Sequence, residues 1–346
     1  MTIVETTRPV TGGVDTHADV HVAAAVDASG GVLGVASFPT TAAGFGQLHD
    51  WLAGFGALDR VGVEGTGAYG AGLARYLRGQ GVAVIEVDRP NRQARRRNGK
   101  SDELDAIEAA RAAVSGRASG IAKSADGDVE AIRALLVARR SGRNVRIKYL
   151  NQIRHLGFTA PDELRERLRD VPRDRLARAA AALRPTAGTD TVQYATKLAI
   201  ATLGRRVLAL EADGERLDDE LETLVRRTAP SLLQVYGVGV TTAAILLVAA
   251  GDNPHRLKSE AAFAHLCGVA PLPASSGKVA RHRLNPGGNR QANHALWRIV
   301  FTRMSSDERT RKYVARRAAE GRSTREIMRV LKRYVARELY PHIVSA

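Results

Sequence analysis

The N-terminal part of the chain has three strand-like segments before any helix-like one. The stretch "VDTHADVHVAAAVDASGGVLGVASF" is rich in valine and carries a hairpin turn signal at Ala28–Gly31, so it predicts two or three strands. The following segments predict, in order, a helix over 42–54, a buried strand "DRVGVE", a helix over 69–79, a strand "VAVIEV" and a helix over 100–116 that begins at Ser101. The order β-β-β-α-β-α-β-α predicts an α/β domain with a mixed sheet, bounded here as residues 1–120.

The charge of the chain is strongly positive. Lys and Arg number 52 against 36 Asp and Glu, which gives a net charge of +16 over 346 residues. Such an excess is typical of a protein whose partner is a polyanion, most often nucleic acid. The arginines cluster in 89–100, 133–178 and 309–337, whereas a general compositional bias would spread them evenly. We therefore expect a nucleic-acid partner.

Several function classes do not fit the sequence. No apolar run is long enough to span a bilayer, and the first residues, "MTIVETTRPV", lack the apolar stretch of a signal peptide. The single cysteine, Cys267, allows neither a disulfide framework nor a cysteine zinc site. No Walker-type phosphate loop occurs. These features predict a cytoplasmic protein with no membrane partner.

One glycine-rich segment supports a different function. Gly65, Gly67 and Gly70 form G-x-G-x-x-G between a strand and a helix, and Glu86 ends the next strand near the spacing of a ribose-binding acid. Taken alone, this segment predicts an NAD-dependent oxidoreductase. The three preceding strands, the negative charge of Glu64 and the cations that follow the segment argue against it. The oxidoreductase stays as the alternative.

Four carboxylates are placed on three elements of the predicted N-terminal domain. Asp15 lies at the middle of the first strand, Glu64 ends the fourth, and Asp102 and Asp105 share one face of the last helix because they are three residues apart. In a domain of the ribonuclease H type, the first and fourth strands are neighbours and the last helix packs across them. The four carboxylates then converge and need cations. Oxygen ligands favour Mg²⁺ or Mn²⁺, and we expect two ions about 4 Å apart.

The densest run of positive charge, "RPNRQARRRNGK", directly precedes this last helix. Its cations are placed to hold phosphates while the adjoining acids carry metal to the phosphate that reacts. Helix capping is the simpler explanation for Asp102 and Glu103 taken alone. The nucleic-acid contacts expected in this run are Arg92, Arg95, Arg96, Arg97 and Lys100.

Residues 121–228 have an almost wholly helical pattern. Apolar residues recur there at alternating steps of four and three, interrupted by one glycine. The positions of this seam are Leu203, Val207, Leu210, Gly214, Leu217, Leu221 and Leu224. The pattern predicts an all-α region with a coiled coil. Two explanations stay open: the seam joins subunits of a dimer or tetramer, or an amphipathic helix packs within one chain.

Residues 229–346 predict a mainly α domain with two further motifs. Gly237 and Gly239 lie between two apolar helices, as in a helix-hairpin-helix that offers backbone N–H groups to a phosphate, although a plain helix–helix turn fits equally well. Ser275 and Ser276 lie beside cations that would stabilise charge on phosphoryl oxygens if a serine attacked phosphorus. By itself Ser-Ser-Gly is far more often a flexible loop. The expected nucleic-acid contacts here are Lys278, Arg281, Arg283 and Asn289.

Three short motifs, "GVDTH", "VEGTGAYG" and "GKSDELDA", resemble in order and spacing the N-terminal domain of the DEDD insertion-sequence transposases. The Ser-Gly that is followed by Gly-Asn resembles that family's C-terminal transposase domain. The resemblance covers essentially the whole chain. It implies a RuvC-like first domain and a catalytic serine, best matched by Ser276. It also implies a metal-binding tetrad of Asp15, Glu64, Asp102 and Asp105.

The same resemblance implies the reaction and the partners. DNA strands would be exchanged by transesterification, without ATP, under the guidance of a bridge RNA. A homo-oligomer would bring the acidic site of one subunit to the serine of another. A non-catalytic RNA- or DNA-binding scaffold with a degenerate nuclease fold is a third hypothesis. Cofactor binding by the purified protein would separate the oxidoreductase from the recombinase.

Overall fold

The computed structural model describes residues 8–87, 101–186, 188, 190–274, 282–283 and 285–346. The chain divides into two compact units. The first comprises Met1–Gly127 with Gly251–Arg256, and the second comprises Asp128–Ala250 with Leu257–Ala346. The first unit is built on a β-sheet, and the second is mainly helical. No helix among the described residues is long and apolar enough to cross a membrane.

A six-stranded sheet in the order β3-β2-β1-β4-β5-β6 organises the first unit. Its strands are β1 (Pro9–Thr16), β2 (Val20–Val26), β3 (Val32–Pro39), β4 (Ala57–Glu64), β5 (Ala83–Val87) and β6 (Gly120–Ile121). β2 is antiparallel to β1 and β3, whereas β1, β4 and β5 are parallel. β6 is antiparallel to β5. The predicted mixed sheet is confirmed, as is the adjacency of the first and fourth strands.

Helices cover both faces of this sheet. They are α1 (Ala42–Ala53), α2 (Ala71–Gly79) and α3 (Asp102–Val114). Val14 and Val61 pack with Leu48 of α1 and Leu73 of α2 in one apolar core. On the other face, β2 packs against Ala106 of α3. The helices begin and end within two residues of the predicted bounds, and the predicted order β-β-β-α-β-α-β-α is confirmed.

Two long antiparallel helices dominate the first part of the second unit. They are α4 (Asp128–Phe158) and α7 (Thr191–Thr228), joined through α5 (Asp162–Arg169) and α6 (Leu176–Ala181). The antiparallel direction follows from the order of the ion pairs along the two helices: Arg227 Nη2 lies 2.6 Å from Asp128 Oδ1 at one end, and Arg146 Nη2 lies 2.6 Å from Glu211 Oε1 near the middle. Arg139 and Asp218 pair between them.

The predicted apolar seam lies on α7 and packs within the chain. Val207 and Leu221 are fully buried, and a Cβ added at Gly142 of α4 would lie 3.7 Å from Leu210 Cδ2. The intrachain explanation therefore accounts for this packing. A coiled coil between subunits stays a prediction.

Helices also form most of the C-terminal part. They are α8 (Pro230–Leu233), α9 (Val240–Ala250), α10 (Glu260–Leu266), α11 (Arg290–Ser306), α12 (Glu308–Ala319) and α13 (Thr324–Val344). A short antiparallel pair, β7 (Leu272–Pro273) and β8 (His282–Arg283), lies between α10 and α11. Leu221 of α7 shares one core with Leu247, Ile299 and Leu339. The mainly helical character is confirmed, and the division at 120 and 228 stays a prediction.

Candidate active site

Two glycines let α3 lie directly on the sheet. A Cβ at Gly13 of β1 would lie 2.2 Å from Ala106 O, and one at Gly62 of β4 would lie 2.5 Å from Ala109 O. Real Cβ atoms cannot approach a backbone this closely, so only glycine permits the contact. Side chains alternate along a strand, so residues two positions further along β1 and β4 face the same layer. Asp15 and Glu64 are those residues.

The first turn of α3 reaches the end of β1 as a result. Asp102 begins α3, with Ser101 as its N-cap residue, although the Ser101 side chain makes no capping hydrogen bond. Asp102 and Asp105 both lie in this first turn, where the helix dipole favours negative charge. Asp105 is buried. Asp15, predicted at the middle of the first strand, is instead the next-to-last residue of β1, and it is also buried.

The charges of two acids of α3, Asp102 and Asp105, act on Asp15. Burial holds the pKa of the Asp15 carboxyl above its ordinary value, and the charges of Asp105 and Asp102 raise it further, while His17 acts in the opposite direction. A carboxylate in this position is stabilised by a nearby positive charge. The site thus has the electrostatic character of a cation-binding site.

His17 joins Asp15 to Asp102. Its Nε2 lies 3.1 Å from Asp15 Oδ2 and 3.5 Å from Asp102 Oδ2. The three side chains offer ligand atoms that all lie within 4.8 Å of one another. The sequence reasoning missed His17, although the motif "GVDTH" contains it. The sequence did contain a signal: His17 lies two positions after Asp15, and residues two apart along a strand point to the same face of the sheet.

Glu64 lies at the same edge of the sheet. Val14 pairs with Val63, so Glu64, the last residue of β4, comes next to Asp15 in the register. Thr16 Oγ1 donates a 2.8 Å hydrogen bond to the Glu64 carbonyl. Among the described residues, the group within 4.8 Å consists of Asp15, His17 and Asp102. The membership of Glu64 and Asp105 in one metal-binding tetrad stays a prediction.

The donor set fits a divalent cation. Aspartate oxygens suit Mg²⁺ or Mn²⁺, and a histidine nitrogen beside them moves the preference towards a transition-metal ion such as Mn²⁺. A cation here would neutralise two carboxylates that the fold holds close together. Divalent metal use is therefore consistent with the residues present, and the number and identity of the ions stay predictions.

The glycine turn has a packing role in this fold. Gly65 has φ of +71°, and a Cβ at Gly70 would lie 3.0 Å from Val63 Cγ1 and 3.2 Å from Glu64 O. The turn does join a strand to a helix, as predicted. However, β1 to β3 are antiparallel, whereas a dinucleotide-binding fold has an open parallel sheet. The fold thus gives no support to the oxidoreductase alternative.

Most of the predicted nucleic-acid contacts and both serines lie outside the described residues. They are Arg92, Arg95, Arg96, Arg97, Lys100, Ser275, Ser276, Lys278 and Arg281. Arg283 is described, on β8, and is exposed. Asn289 caps α11, because its Oδ1 accepts hydrogen bonds from Gln291 N at 3.0 Å and Ala292 N at 3.1 Å. This capping role uses the side-chain oxygen of Asn289. The contact of Asn289 with nucleic acid stays a prediction.

The predicted hairpin joins α8 to α9. Gly237 has φ of +82°, a conformation that favours glycine, and Gly239 directly precedes α9. The Gly239 N–H donates to Thr242 Oγ1 at 3.0 Å. Two helices joined by a glycine-containing turn are thus present, as the predicted helix-hairpin-helix requires. Phosphate binding by Gly237 and Gly239 stays a prediction.

Comparison with known proteins gives matches in both units. The profile of the DEDD-type IS110 transposases matches residues 12–156. The profile of the transposase IS116/IS110/IS902 family matches residues 229–315. The first match contains Asp15, His17, Glu64, Asp102 and Asp105, and the second contains Ser275 and Ser276.

Two curated relatives are proteins of insertion elements. An uncharacterized 43.6 kDa protein of insertion element IS110 from Streptomyces coelicolor is 30% identical over 153 residues, which cover 43% of this chain and 36% of the relative. An uncharacterized 42 kDa protein of IS900 from Mycobacterium paratuberculosis is 28% identical over 193 residues, covering 51% and 48%. The matched segments thus span at most about half of each relative. On the evidence of both profiles and these relatives, the chain belongs to the IS110 family of DEDD-type transposases.

Proposed function

We propose that the chain is a transposase that cuts and rejoins DNA during movement of an insertion sequence, as a site-specific recombinase. The observation that carries this proposal is the contact between Asp15 and Asp102 through His17. The three residues come from two elements distant in the sequence, so the fold has assembled them. The family supports a DNA substrate, and the net charge of +16 suits a polyanion.

The acidic site is proposed to hold two divalent ions, Mg²⁺ or Mn²⁺, through Asp15, Glu64, Asp102 and Asp105. Ions bound there would supply charge neutralisation and activation at the reacting phosphate. Asp15 is held by its burial in β1, and Asp102 is held by the first turn of α3. His17 either joins the ligand set or orients Asp15 through their 3.1 Å contact. Both roles require the imidazole to stay between the two carboxylates.

The serine step is proposed to be a transesterification. The Oγ of Ser276, or of Ser275, forms a bond to a DNA phosphorus while one phosphorus–oxygen bond of the strand breaks. The leaving oxygen takes up the proton that the serine loses. A hydroxyl of another DNA strand then forms a phosphorus–oxygen bond, and the serine leaves with a proton. The number of phosphodiester bonds is unchanged, so the sequence of steps needs no ATP.

The partners proposed beyond DNA are a bridge RNA and further copies of the chain. The basic residues 89–100 and the hairpin glycines Gly237 and Gly239 are proposed to contact phosphates. A dimer or tetramer would bring the acidic site of one subunit to the serine of another. The α7 seam is proposed to contribute to that association, and the cytoplasmic location stays part of the proposal.

The test is strand exchange between a plasmid carrying the element and a target plasmid, read by sequencing the junctions. Asp102→Ala and Ser276→Ala should each abolish junctions while DNA binding persists. Glu103→Ala is the matched control, because Glu103 is an exposed acid next to Asp102 on the same turn. Normal junction yield from Asp102→Ala would show that the proposed acidic site is wrong. Normal yield from each of the single variants Ser276→Ala and Ser275→Ala would show that the proposed serine step is wrong.

A further inference from the structure

A wide cleft lies in the C-terminal part of the second unit. It has a volume of about 880 Å³, and its walls come from the segment after α10, from β8, from α12 and from α13. We call it the basic cleft. Its size suits a chain of sugar and phosphate groups better than a single ion. His282 and Arg283 of β8, which line it, directly follow the segment that carries Ser275 and Ser276 in the sequence.

Some of the cations in the basic cleft are already neutralised by acids. Arg333 forms two hydrogen bonds with the Glu260 carboxylate, at 2.5 and 2.8 Å. Arg317 pairs with Glu320, and Arg322 Nη1 lies 3.6 Å from Glu326 Oε1. The Glu326 carboxylate also accepts from the Ser323 N–H and hydroxyl, so it serves the N-terminus of α13.

Other cations in the cleft have no such partner. Within the described part of the chain, no acid forms an ion pair with Arg283, Arg329 or Lys332. Arg329 and Lys332 are three residues apart on α13, so they lie on one face of that helix. The like charges of Arg329 and Lys332 repel each other, and Glu326, three residues before Arg329, offsets part of the Arg329 charge. An anion between the two cations would remove the remaining cost.

Lys332 is held in place by an unusual partner for an ammonium group. Its Nζ donates a 2.8 Å hydrogen bond to Asn293 Oδ1. The Asn293 Nδ2 in turn donates to Cys267 O at 3.1 Å and Gly268 O at 3.0 Å, which fixes the orientation of the amide. Burial lowers the pKa of Lys332, and the charge of Arg329 lowers it further. Lys332 is thus a positioned cation with no charged partner.

We propose that the basic cleft binds the phosphate backbone of a DNA strand, with Arg329 and Lys332 contacting phosphates and Asn293 positioning Lys332. This inference rests on the proposed function, because it assigns the place where that function's DNA lies in this unit. DNA is the occupant that the charges favour: a polyanion can meet several unpaired cations at once. A second copy of this chain, with its own net charge of +16, would be repelled.

The test is binding of a fluorescein-labelled DNA duplex to the full chain, followed by fluorescence anisotropy over a range of salt concentrations. The buffer contains EDTA and no RNA, so the result does not depend on metal or on strand exchange. The double variant Arg329→Gln with Lys332→Gln should bind roughly tenfold more weakly at moderate salt and lower the salt slope by about 2. Conservative variants, Arg329→Lys and Lys332→Arg, should keep the slope.

Arg325→Gln is the matched control. Arg325 lies on the same helix and is exposed, and its loss removes one positive charge, as each single cleft substitution does, without changing the cleft wall. It should change the salt slope far less than Arg329→Gln alone or Lys332→Gln alone. Asn293→Ala should weaken binding in the wild-type chain but have little further effect with Lys332→Gln, as expected if Asn293 acts through Lys332. Equal effects in both backgrounds would remove its positioning role.

An unchanged slope in the double variant, with thermal melting confirming its fold, would overturn the cleft proposal. The same measurement is repeated with a labelled single-stranded RNA in place of the DNA duplex. If the double variant kept its affinity for the DNA and lost affinity for the RNA alone, DNA would be the wrong occupant. These outcomes are separate from the proposed function. A wild-type chain that binds DNA through the cleft but never forms junctions would defeat the recombinase proposal alone. If the wild-type chain formed junctions at normal yield and the double variant showed an unchanged salt slope, the cleft proposal alone would be wrong.

Discussion

The imidazole Nε2 of His17 lies 3.5 Å from Oδ2 of Asp102, although one residue follows the first strand and the other begins the third helix. This contact joins β1 to α3, two of the three elements that carry the four acids. It exists because α3 approaches β1 more closely than any side chain at Gly13 would allow. The site therefore depends on backbone packing as much as on the acids themselves.

We expect His17→Ala to weaken Mn²⁺ binding to the purified chain by at least about tenfold, as loss of a ligand or of its orienting partner does. Electron paramagnetic resonance of free Mn²⁺ measures this directly. His49→Ala is the control, because His49 contacts only the Asp50 carboxylate among acids of the described residues, on α1. Equal Mn²⁺ affinity in the wild type and His17→Ala would remove His17 from the site.

Replacing Gly13 by alanine should destabilise the first unit by about 1–3 kcal/mol, because the added methyl group overlaps the backbone of α3. Urea unfolding followed by circular dichroism measures the change. Gly79→Ala is the opposite case: no atom lies within 4 Å of its added methyl group, and Gly79 ends α2. That variant should be neutral or slightly stabilising. Equal effects at both positions would contradict the close-packing explanation.

The stability of the first unit should fall as the pH falls below about 6.5. The buried His21 ring stacks on Phe45, and neither ring nitrogen has a hydrogen-bond partner among the described residues. Burial lowers the pKa of His21, so the unfolded state binds the proton more readily than the folded state. The contribution of the neutral His21 ring to stability is thus present above the pKa that His21 has in the unfolded state, and it is lost as the pH falls below that value.

His21→Phe tests this pH dependence, because phenylalanine keeps the stacking and cannot be protonated. Urea unfolding at a neutral and a mildly acidic pH should show a smaller loss of stability in the variant than in the wild type. The comparison is made without divalent ions. If both proteins lost the same stability on acidification, His21 would not be the group responsible.

Cys267 should resist thiol reagents in the native state. The side chain is fully buried, and burial raises its pKa to about 12, so very little thiolate is present near pH 8. Labelling with a chromogenic disulfide reagent should be slow in buffer and rapid in denaturant. Rapid labelling of the native protein would show that the core around α10 opens readily.

Much of the fold was predictable from local patterns. Alternating valines and the glycine-containing turn after Val26 indicated the strands, and the acids after Ser101 marked the start of α3 within a residue of its observed position. These signals are local, because strand and helix periodicity and turn chemistry act over a few neighbouring residues. The resemblance to the transposases then predicted the family, which the matching profiles confirm.

The partner of the α7 seam was not decided by the sequence. A repeat such as that from Leu203 to Leu224 fits a helix of the same chain or of another subunit equally well. The structure supplies α4 as a partner, through Arg146 with Glu211 and Arg227 with Asp128. These charges lie far apart in the chain, so no local pattern could pair them.

The sequence by itself determined the order of the elements, the placing of Asp15 on the first strand and the placing of Asp102 and Asp105 at the start of the last helix of the first unit. The tertiary structure alone decided that His17 lies between Asp15 and Asp102, and that Lys332 is held by Asn293 in a cleft with unpaired cations. The physical reason is that periodicity fixes which face a side chain occupies, whereas distances between faces depend on how closely backbones pack, as at Gly13.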